Sequence, residues 1–343
     1  RYRLSALRCV KPTSAFSGLS IRKGLTTSFY LGSSKKNMKK KYETKGKTKM
    51  TDKSYLPEGG LFGTPQNTEY ISSREMLERA MREGRILEAL AVKCDCTEMT
   101  LTVDLGGMNG YIKRDSAAYS PAGEEIKDIA VITRVGHAVA FTVTGFFTDA
   151  DGRTAAMLSR AQAQKRCFED RVSRLVPGDI IPVRVTHLES FGAFVDIGCG
   201  LVALMTVDTL SVSRISHPRE RVAVGEKLWA AVRDVGDNGS RIYMSLRELL
   251  GTWEENAALF SPAQTVTGTV RSVEEYGVFV ELMPNLCGLA ELRDGAAPGK
   301  HCAVYIKSII PERMKIKLII IDTAAQIETR PPLRYFVDPD RTP

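Results

Sequence analysis

The sequence predicts a mainly β protein made of tandem five-stranded barrels joined by short helices, and three observations support this fold class. An aromatic-glycine segment occurs twice, at 191–198 and at 276–282. Each copy follows a run of alternating apolar residues and precedes a Gly-Leu pair, and a fainter third copy lies at 103–106. Because alternation of period two is typical of strands with one buried face, the three copies indicate three small β units.

The charge of the chain is unevenly distributed. The 343 residues are 43% hydrophobic, enough for two or three domains with ordinary cores. The net charge is +8, but residues 1–53 hold 15 Lys and Arg against Glu43 and Asp52, which makes them +13 and leaves residues 54–343 at −5. A mildly acidic body lacks the broad positive surface of a duplex-backbone binder, so nucleic-acid binding there would need stacking and local cations.

Residues 1–56 form a basic tail in this interpretation, rich in Ser, Thr, Lys and Arg. Such a composition is typical of an organelle transit peptide, and it also fits upstream sequence ahead of a start at Met38 or Met50. We expect the start at Met50. The expected location is the cytoplasm, or an organelle if residues 1–49 are a transit peptide.

Helix signals divide the rest of the chain. A capping box, Ser72 to Glu75, predicts a helix that ends at Gly84. Further helices are predicted at 161–175 and 246–260. About five short strands in each unit suit an OB-fold barrel. The predicted domains are a helix with a degenerate OB-fold repeat at 57–165, a second repeat at 166–250, a linker helix with a third repeat at 251–324, and an extended tail at 325–343.

Further motifs surround the repeated segment: Pro177-Gly178-Asp179, Ile215-Ser216-His217-Pro218, Val224-Gly225-Glu226, and Arg241-Ile242-Tyr243-Met244-Ser245-Leu246. With them the chain resembles the RNA-binding domain family named after ribosomal protein S-one, strongly in the second unit, less in the third and weakly in the first. The whole arrangement is similar to a short bacterial homologue of the Gram-positive kind. The resemblance implies binding of single-stranded RNA, including messenger RNA, at the small ribosomal subunit.

The sequence departs from that family in each unit. The family places a His on the binding face after a Gly-Leu-Val step, and Ala203, Glu291 and Lys113 stand there in the second, third and first units. Met99 and Thr102 replace the two aromatic residues of the first unit. We therefore expect the first unit to dock or to space the others, and Glu291 to repel phosphate.

Four aromatic residues are the candidate stacking platform: Phe191 and Phe194 in the second unit, and Tyr276 and Phe279 in the third. An exposed ring offers a face to any base, worth about 1–3 kcal/mol per stacked base. Residues three apart on a regular strand point to opposite faces. A bulge at Gly192, and another at Gly277, would bring both rings of a pair to one side; without it one ring belongs to the core.

Basic side chains near the rings are the candidate phosphate ligands. Arg241 and Lys315 match the family's basic residue on the closing strand, and Lys317 shares a strand face with Lys315. The remaining candidates are Arg184 and Arg271 on the first strands, and Asp237, which matches a family acid that accepts from a base or ribose. Ordinary solvated charge is the alternative interpretation for each of them.

The sequence gives no reason to expect an enzyme, a cofactor or a metal site. The four His are scattered, and no phosphate-binding loop or nucleophile motif occurs. The nearest pair of the seven Cys, Cys94 and Cys96, would need two more ligands. No run of 18 apolar residues predicts a membrane span.

Two functional hypotheses follow. In the first, the chain is a monomeric, ribosome-associated translation protein that binds single-stranded RNA. In the second, it is an interaction scaffold that recruits partners to the ribosome or to an RNA-decay complex, with weak RNA affinity of its own. The repeated aromatic residues favour the first hypothesis, and the acidic body favours the second.

Overall fold

The computed structural model describes residues 55–121, 123–149, 152–212, 215–236, 241–323 and 333–337. In this part of the chain, fifteen strands form three closed barrels of five strands each. The first barrel comprises β1 Leu87–Asp95, β2 Thr100–Asp104, β3 Asn109–Ile112, β4 Ala138–Thr148 and β5 Thr154–Ser159. The second comprises β6 Ile180–Glu189, β7 Gly192–Gly198, β8 Leu201–Thr206, β9 Lys227–Gly236 and β10 Arg241–Ser245. The third comprises β11 Thr265–Glu274, β12 Gly277–Met283, β13 Leu286–Ala290, β14 His301–Ile310 and β15 Lys315–Asp322.

The three barrels share one topology. In each, the first three strands form an antiparallel meander, the third strand pairs in parallel with the fifth, and the fourth strand closes against the first. This arrangement of five short strands is the OB fold, and the prediction of a mainly β protein with tandem OB-fold barrels is confirmed.

Five short α-helices flank the barrels: α1 Pro65–Ile71, α2 Arg74–Glu83, α3 Asp128–Ile132, α4 Arg160–Asp170 and α5 Trp253–Ala257. The start of α2 lies one residue later than its capping box predicted, because Ser73 rather than Ser72 accepts a hydrogen bond from the Met76 backbone N–H. The left-handed backbone at Gly84 (φ 64°) ends this helix, as expected for a glycine C-cap.

The prediction of one long helix at 246–260, between the second and third barrels, is wrong. Residues 247–249 form one turn of 3-10 helix, and the left-handed backbone at Gly251 (φ 77°) then prevents the helix from continuing. Thr252 and Glu255 form a capping box that starts α5, which has only five residues. Trp253, at the start of α5, is partly buried against the core of the third barrel, so the linker is packed against that barrel.

The cores of the first two barrels meet at α4. Ala163 and Cys167 on this helix, with Ala140 on β4, belong to the same buried cluster as Ile197 and Cys199 of the second barrel. The rest of the first barrel surrounds its own cluster, and so does the third barrel. The helix is thus buried between the two barrels.

Buried carboxylates hold residues 58–62 against both barrels. The Glu58 carboxylate accepts hydrogen bonds from Arg160 Nε at 2.6 Å and Nη2 at 3.0 Å, and the Glu58 backbone N–H donates to Asp196 Oδ2 at 2.7 Å. One oxygen of Glu88 accepts from the backbone N–H groups of Gly59, Leu61 and Phe62, at 3.0, 3.0 and 2.8 Å.

The environment of these acids changes their protonation. Burial raises the pKa of Glu88 to about 7, and it raises the pKa of Asp196 to about 7 as well, with repulsion from Glu58 adding to the shift. Burial alone would raise the pKa of Glu58, but the charge and hydrogen bonds of Arg160, with the Ala140 backbone N–H and the Arg134 charge, lower it below its ordinary value. This part of the fold therefore contains acids that titrate near neutral pH.

None of the helices in the described ranges is long and apolar enough to cross a membrane.

Candidate nucleic-acid interface

An aromatic pair stands on the surface of the second barrel. Phe191 lies in the turn between β6 and β7 with 52% of its surface exposed, and Phe194 lies half-buried on β7. Their ring centroids are 5.9 Å apart and the rings are nearly perpendicular, at 89°. Edge-on packing of this kind is a favourable aromatic geometry, so Phe194 helps to hold the orientation of the exposed Phe191 ring.

The third barrel repeats this arrangement. Tyr276 lies in the turn between β11 and β12 and is 70% exposed, and Phe279 lies half-buried on β12. The centroids are 6.1 Å apart and the interplanar angle is 88°. The four predicted aromatic residues therefore form two pairs with the same geometry, at the same place in two barrels.

The two rings of each pair lie on one side of their barrel, but a bulge at the glycine between them is not the reason. Phe191 and Tyr276 belong to the turns, so the alternation of the strand does not apply to them. The bulge expected at Gly192 is absent, because Gly192 pairs in register with Glu189 and Thr206. The register shifts lie on the preceding strands instead, between Val185 and His187 and between Val270 and Ser272.

The two glycines are needed because a neighbouring strand comes close. A Cβ on Gly192 would lie 2.4 Å from the Met205 carbonyl oxygen, and one on Gly277 would lie 2.5 Å from the Ala290 carbonyl oxygen. Neither backbone oxygen can move without breaking the pairing of the strand. Glycine after the exposed ring thus lets the third strand of the barrel pack against the turn.

Strand register shows which residues surround the rings. In the second barrel, His187, Phe194, Leu204 and Tyr243 lie side by side on adjacent strands. In the third barrel the corresponding row is Ser272, Phe279, Leu289 and Lys317. Side chains paired across strands point to the same face of a sheet. The half-buried ring of each pair, Phe194 or Phe279, therefore belongs to a row that crosses the outer face of its barrel.

The same register corrects the position of the family's His in the second barrel. Ala203 is buried in the barrel and cannot join the outer face. Because Leu204 and Leu289 are equivalent, Thr206 is the counterpart of Glu291, and Thr206 pairs with Gly192 beside the rings. When the two barrels are aligned by strand register, the Gly-Leu pair of the second unit lies three residues earlier than that of the third. Counting from the Gly-Leu pair therefore assigned the His position to Ala203 instead of Thr206.

His187 lies beside the aromatic pair of the second barrel, where the sequence alone favours a surface His without a role over a binding residue. Its ring stacks on Phe194 with centroids 6.3 Å apart and an interplanar angle of 26°, and its Nε2 lies 2.7 Å from Glu189 Oε1. It follows the bulge in β6, so alternation counted from the start of that strand would have placed it on the other face. The bulge determines the face on which His187 lies, and the sequence does not show where that bulge occurs.

Three of the five basic candidates lie on the outer faces. Lys317 stands in the same row as Phe279, and Lys315 lies two residues before it on the same exposed face. Arg241 has the equivalent position on β10, exposed and two residues before Tyr243. These three cations are therefore exposed on the same barrel faces as the aromatic pairs.

The other two basic candidates lie in contacts between parts of the chain. Arg184 donates from Nη1 to the Glu58 carbonyl oxygen at 2.8 Å. Arg271 is largely buried, pairs with both carboxylate oxygens of Glu281 at 2.8 and 2.9 Å, and also pairs with Glu220. Their guanidinium groups are thus engaged with protein partners. The acidic candidate Asp237 lies outside the described residues.

The described residues contain no cluster of three or more His, Cys, Asp or Glu suited to a metal ion. A cavity of about 300 Å³ lies between the first and second barrels, lined by Tyr119, Phe168, Arg134 and Gln164 among others. None of the candidate aromatic residues lines it. The outer barrel faces, and not this cavity, carry the candidate interface.

The family comparison matches residues 174–247, the second barrel, to a family described as the S1 RNA binding domain. Among curated proteins, the small ribosomal subunit protein bS1 of Pseudomonas aeruginosa is 26% identical over 73% of this chain and 46% of its own length. The bS1 homolog of Bacillus subtilis is 29% identical over 49% of this chain and 42% of its own. The bS1 protein of Staphylococcus epidermidis is 33% identical over 42% of this chain and 37% of its own.

The chain thus matches less than half the length of each of these relatives. A multidomain protein with nucleic acid binding domains from Streptococcus pneumoniae covers 71% of this chain and 75% of its own, at 15% identity and a TM-score of 0.24, too low to support an argument. The second barrel matches the S1 domain family and all three barrels share the OB fold, and together with the bS1 relatives this supports an S1-type OB-fold protein.

Proposed function

We propose that this protein binds single-stranded RNA by stacking bases on Phe191 and Phe194 in the second barrel and on Tyr276 and Phe279 in the third. The observation that carries the proposal is the repetition of one aromatic geometry, with centroids 5.9 and 6.1 Å apart, at equivalent places in two barrels. Core packing alone gives no reason to leave Phe191 and Tyr276 half or more exposed twice.

Several weak contacts would together provide the free energy of RNA binding. One stacked base contributes about 1–3 kcal/mol, whatever its identity, so each barrel alone would bind weakly and with little sequence preference. Once one barrel holds an RNA, the second contact becomes intramolecular and the overall affinity rises. Arg241, Lys315 and Lys317 would bind phosphates between the stacked bases. Glu291, exposed and directly after Ala290, which pairs with Val278, would weaken phosphate binding in the third barrel.

The family match and the names of the relatives support a role at the ribosome. The second barrel matches an RNA-binding family, and the relatives are proteins of the small ribosomal subunit. We propose that the chain is a ribosome-associated translation protein of the cytoplasm that captures single-stranded segments of messenger RNA and acts as a monomer. The matched families are named for RNA binding and for the ribosome, which favours a binding role over an enzymatic one.

A binding experiment tests the stacking sites. A chain that begins at Met50, and so lacks most of the basic tail, is titrated into a fluorescently labelled, unstructured RNA and followed by anisotropy. Phe191→Leu with Tyr276→Leu keeps apolar side chains but removes both exposed rings, and we expect a loss of about 2 kcal/mol or more. The matched control is Phe62→Leu, an exposed ring outside the barrel faces, which should bind like the parent.

If the parent does not bind, or the double variant binds equally well, the stacking proposal is wrong and the scaffold hypothesis remains. In that case immobilised small ribosomal subunits should retain the parent and the double variant equally.

A further inference from the structure

The outer face of the first barrel carries an aromatic pair in a different place. By strand register, Lys93, Thr102, Tyr111 and Met157 form the row that corresponds to His187, Phe194, Leu204 and Tyr243 in the second barrel. Thr102 therefore stands at the position of Phe194, and the first barrel lacks a ring there. Tyr111, on the neighbouring strand, supplies one instead.

Tyr111 has an aromatic partner on the same face. Its ring centroid lies 5.6 Å from that of Phe147 on β4, at an interplanar angle of 58°. Phe147 is 36% exposed, and Tyr111 is half-buried. Phe146, next along β4, contacts the core cluster on the other side, and the guanidinium of Arg74 lies over its ring. Tyr111 and Phe147 are thus a surface pair and not part of the core.

Two cations lie beside this pair. Lys113 directly follows β3, two residues after Tyr111, and it is exposed. Its position corresponds to Thr206 in the second barrel and Glu291 in the third, where neither residue is cationic. Lys93 is exposed at the edge of the same row. Asp104, two residues after Thr102, and Asp95, two residues after Lys93, are exposed acids on this face, and each limits phosphate binding on its side.

We propose that the first barrel is a third RNA-binding unit, in which bases stack on Tyr111 and Phe147 while Lys113 and Lys93 contact phosphates. The proposal rests on the proposed function, that the chain binds single-stranded RNA. The platform is shifted from the second strand of the barrel to its third and fourth strands. The ring pair together with its two lysines favours an anionic, base-bearing ligand over an apolar protein surface.

The test uses the full chain at raised salt, which suppresses binding by the basic tail. An OB fold occupies about 4–16 nucleotides, so an RNA of about 30 nucleotides can reach all three barrels, whereas one of about 8 cannot. Tyr111→Leu with Phe147→Leu should bind the long RNA at least about fivefold more weakly than the parent, the loss expected from one stacked base, and the short RNA nearly as well. Phe62→Leu again serves as the matched control.

A second measurement locates the contact directly. The long RNA, made with 4-thiouridine, is cross-linked to the parent chain by ultraviolet light, and the adducts are identified by mass spectrometry. Adducts on peptides that contain Tyr111 or Phe147 support the proposal.

Parallel titration of Phe191→Leu with Tyr276→Leu separates the two proposals. If that variant loses affinity while the first-barrel variant keeps it and no first-barrel adducts form, the inference is overturned and the proposed function stands; the face would then be free for a protein. If the first-barrel variant alone loses affinity, the inference stands and the stacking sites of the other barrels are wrong. If neither loses affinity, both are overturned.

Discussion

Arg221 of the second barrel and Glu281 of the third form an ion pair in which the two side chains are only 4% and 7% exposed. Glu281 also accepts two hydrogen bonds from Arg271 on β11, and Arg271 pairs in turn with Glu220 of the second barrel. Ser211 adds a hydrogen bond of 2.6 Å to the Pro284 carbonyl oxygen. The two barrels that carry the repeated aromatic pairs are therefore joined by charged groups withdrawn from water.

Removing the central charge should destabilise this junction. Glu281→Gln keeps the shape of the side chain but leaves the buried Arg221 without its ion-pair partner and Arg271 with Glu220 alone. Loss of one partner of a buried pair costs about 3–5 kcal/mol. We expect the free energy of unfolding to fall by about 3 kcal/mol. Urea unfolding followed by the fluorescence of Trp229 and Trp253 measures it.

The matched control is Glu169→Gln. Glu169 lies 3.9 Å from Lys165 and its side chain is 57% exposed, so the free energy of unfolding should change by less than about 0.5 kcal/mol. Equal effects of the two substitutions would show that the junction does not contribute to stability as we infer.

The stability of the chain should depend on pH through Glu88. Burial raises its pKa to about 7 from an ordinary value of 4.5. The folded chain therefore keeps a proton that the unfolded chain releases between these two values, so the free energy of unfolding falls as the pH rises through this window. From pH 5.5 to pH 8 this group should lower it by about 2 kcal/mol.

Glu88→Gln cannot titrate, so its free energy of unfolding should fall less across the same range. Urea unfolding of the parent and the variant at both pH values gives the difference. Asp196 titrates near the same pH and remains in both proteins, so its contribution cancels in that comparison. Identical pH profiles would rule out the assignment to Glu88.

Gly192→Ala should destabilise the second barrel. The added methyl group would lie 2.4 Å from a backbone oxygen of the neighbouring strand. Overpacking of this kind costs about 1–3 kcal/mol, and it would also displace the turn that holds Phe191. Thermal unfolding checks the first effect. Gly145→Ala is the control, since nothing lies within 4 Å of its added methyl group.

The basic tail should change the salt dependence of RNA binding more than its strength at high salt. Residues 1–53 carry a net charge of +13, and each phosphate contact on a single strand steepens the slope of log K against log salt by about 0.7. Chains that begin at residue 1 and at Met50 should therefore differ in slope but converge at high salt, where stacking remains. Parallel slopes would show that the tail makes no phosphate contacts.

The repeated barrels were predictable from the sequence because their signals are local. Alternating apolar residues, turn glycines and the repeated aromatic-glycine segment each depend on a few neighbouring residues. The same segment predicted the four aromatic residues of the two pairs. Its geometry was not predictable in detail, because the positions of Phe191 and Tyr276 depend on where a turn ends and a strand begins.

The roles of several side chains depend on residues far away in the sequence. Arg184 bonds to Glu58, and Arg271 pairs with Glu220, each across a contact between separate parts of the fold. Tyr111 and Phe147 meet because their strands both border β5. No pattern of spacing along the chain carries such information.

If the protein binds RNA as proposed, the buried junction between the second and third barrels restricts which RNA can fill both sites. Barrels on a loose tether could adjust their separation to almost any RNA, folded or not. A fixed pair of sites instead demands a stretch that is unpaired along the whole path from one to the other. A hairpin within that path would have to melt before both sites could be filled. The junction would thus favour RNA with an unpaired stretch long enough to reach both sites. This preference would follow RNA folding rather than base sequence.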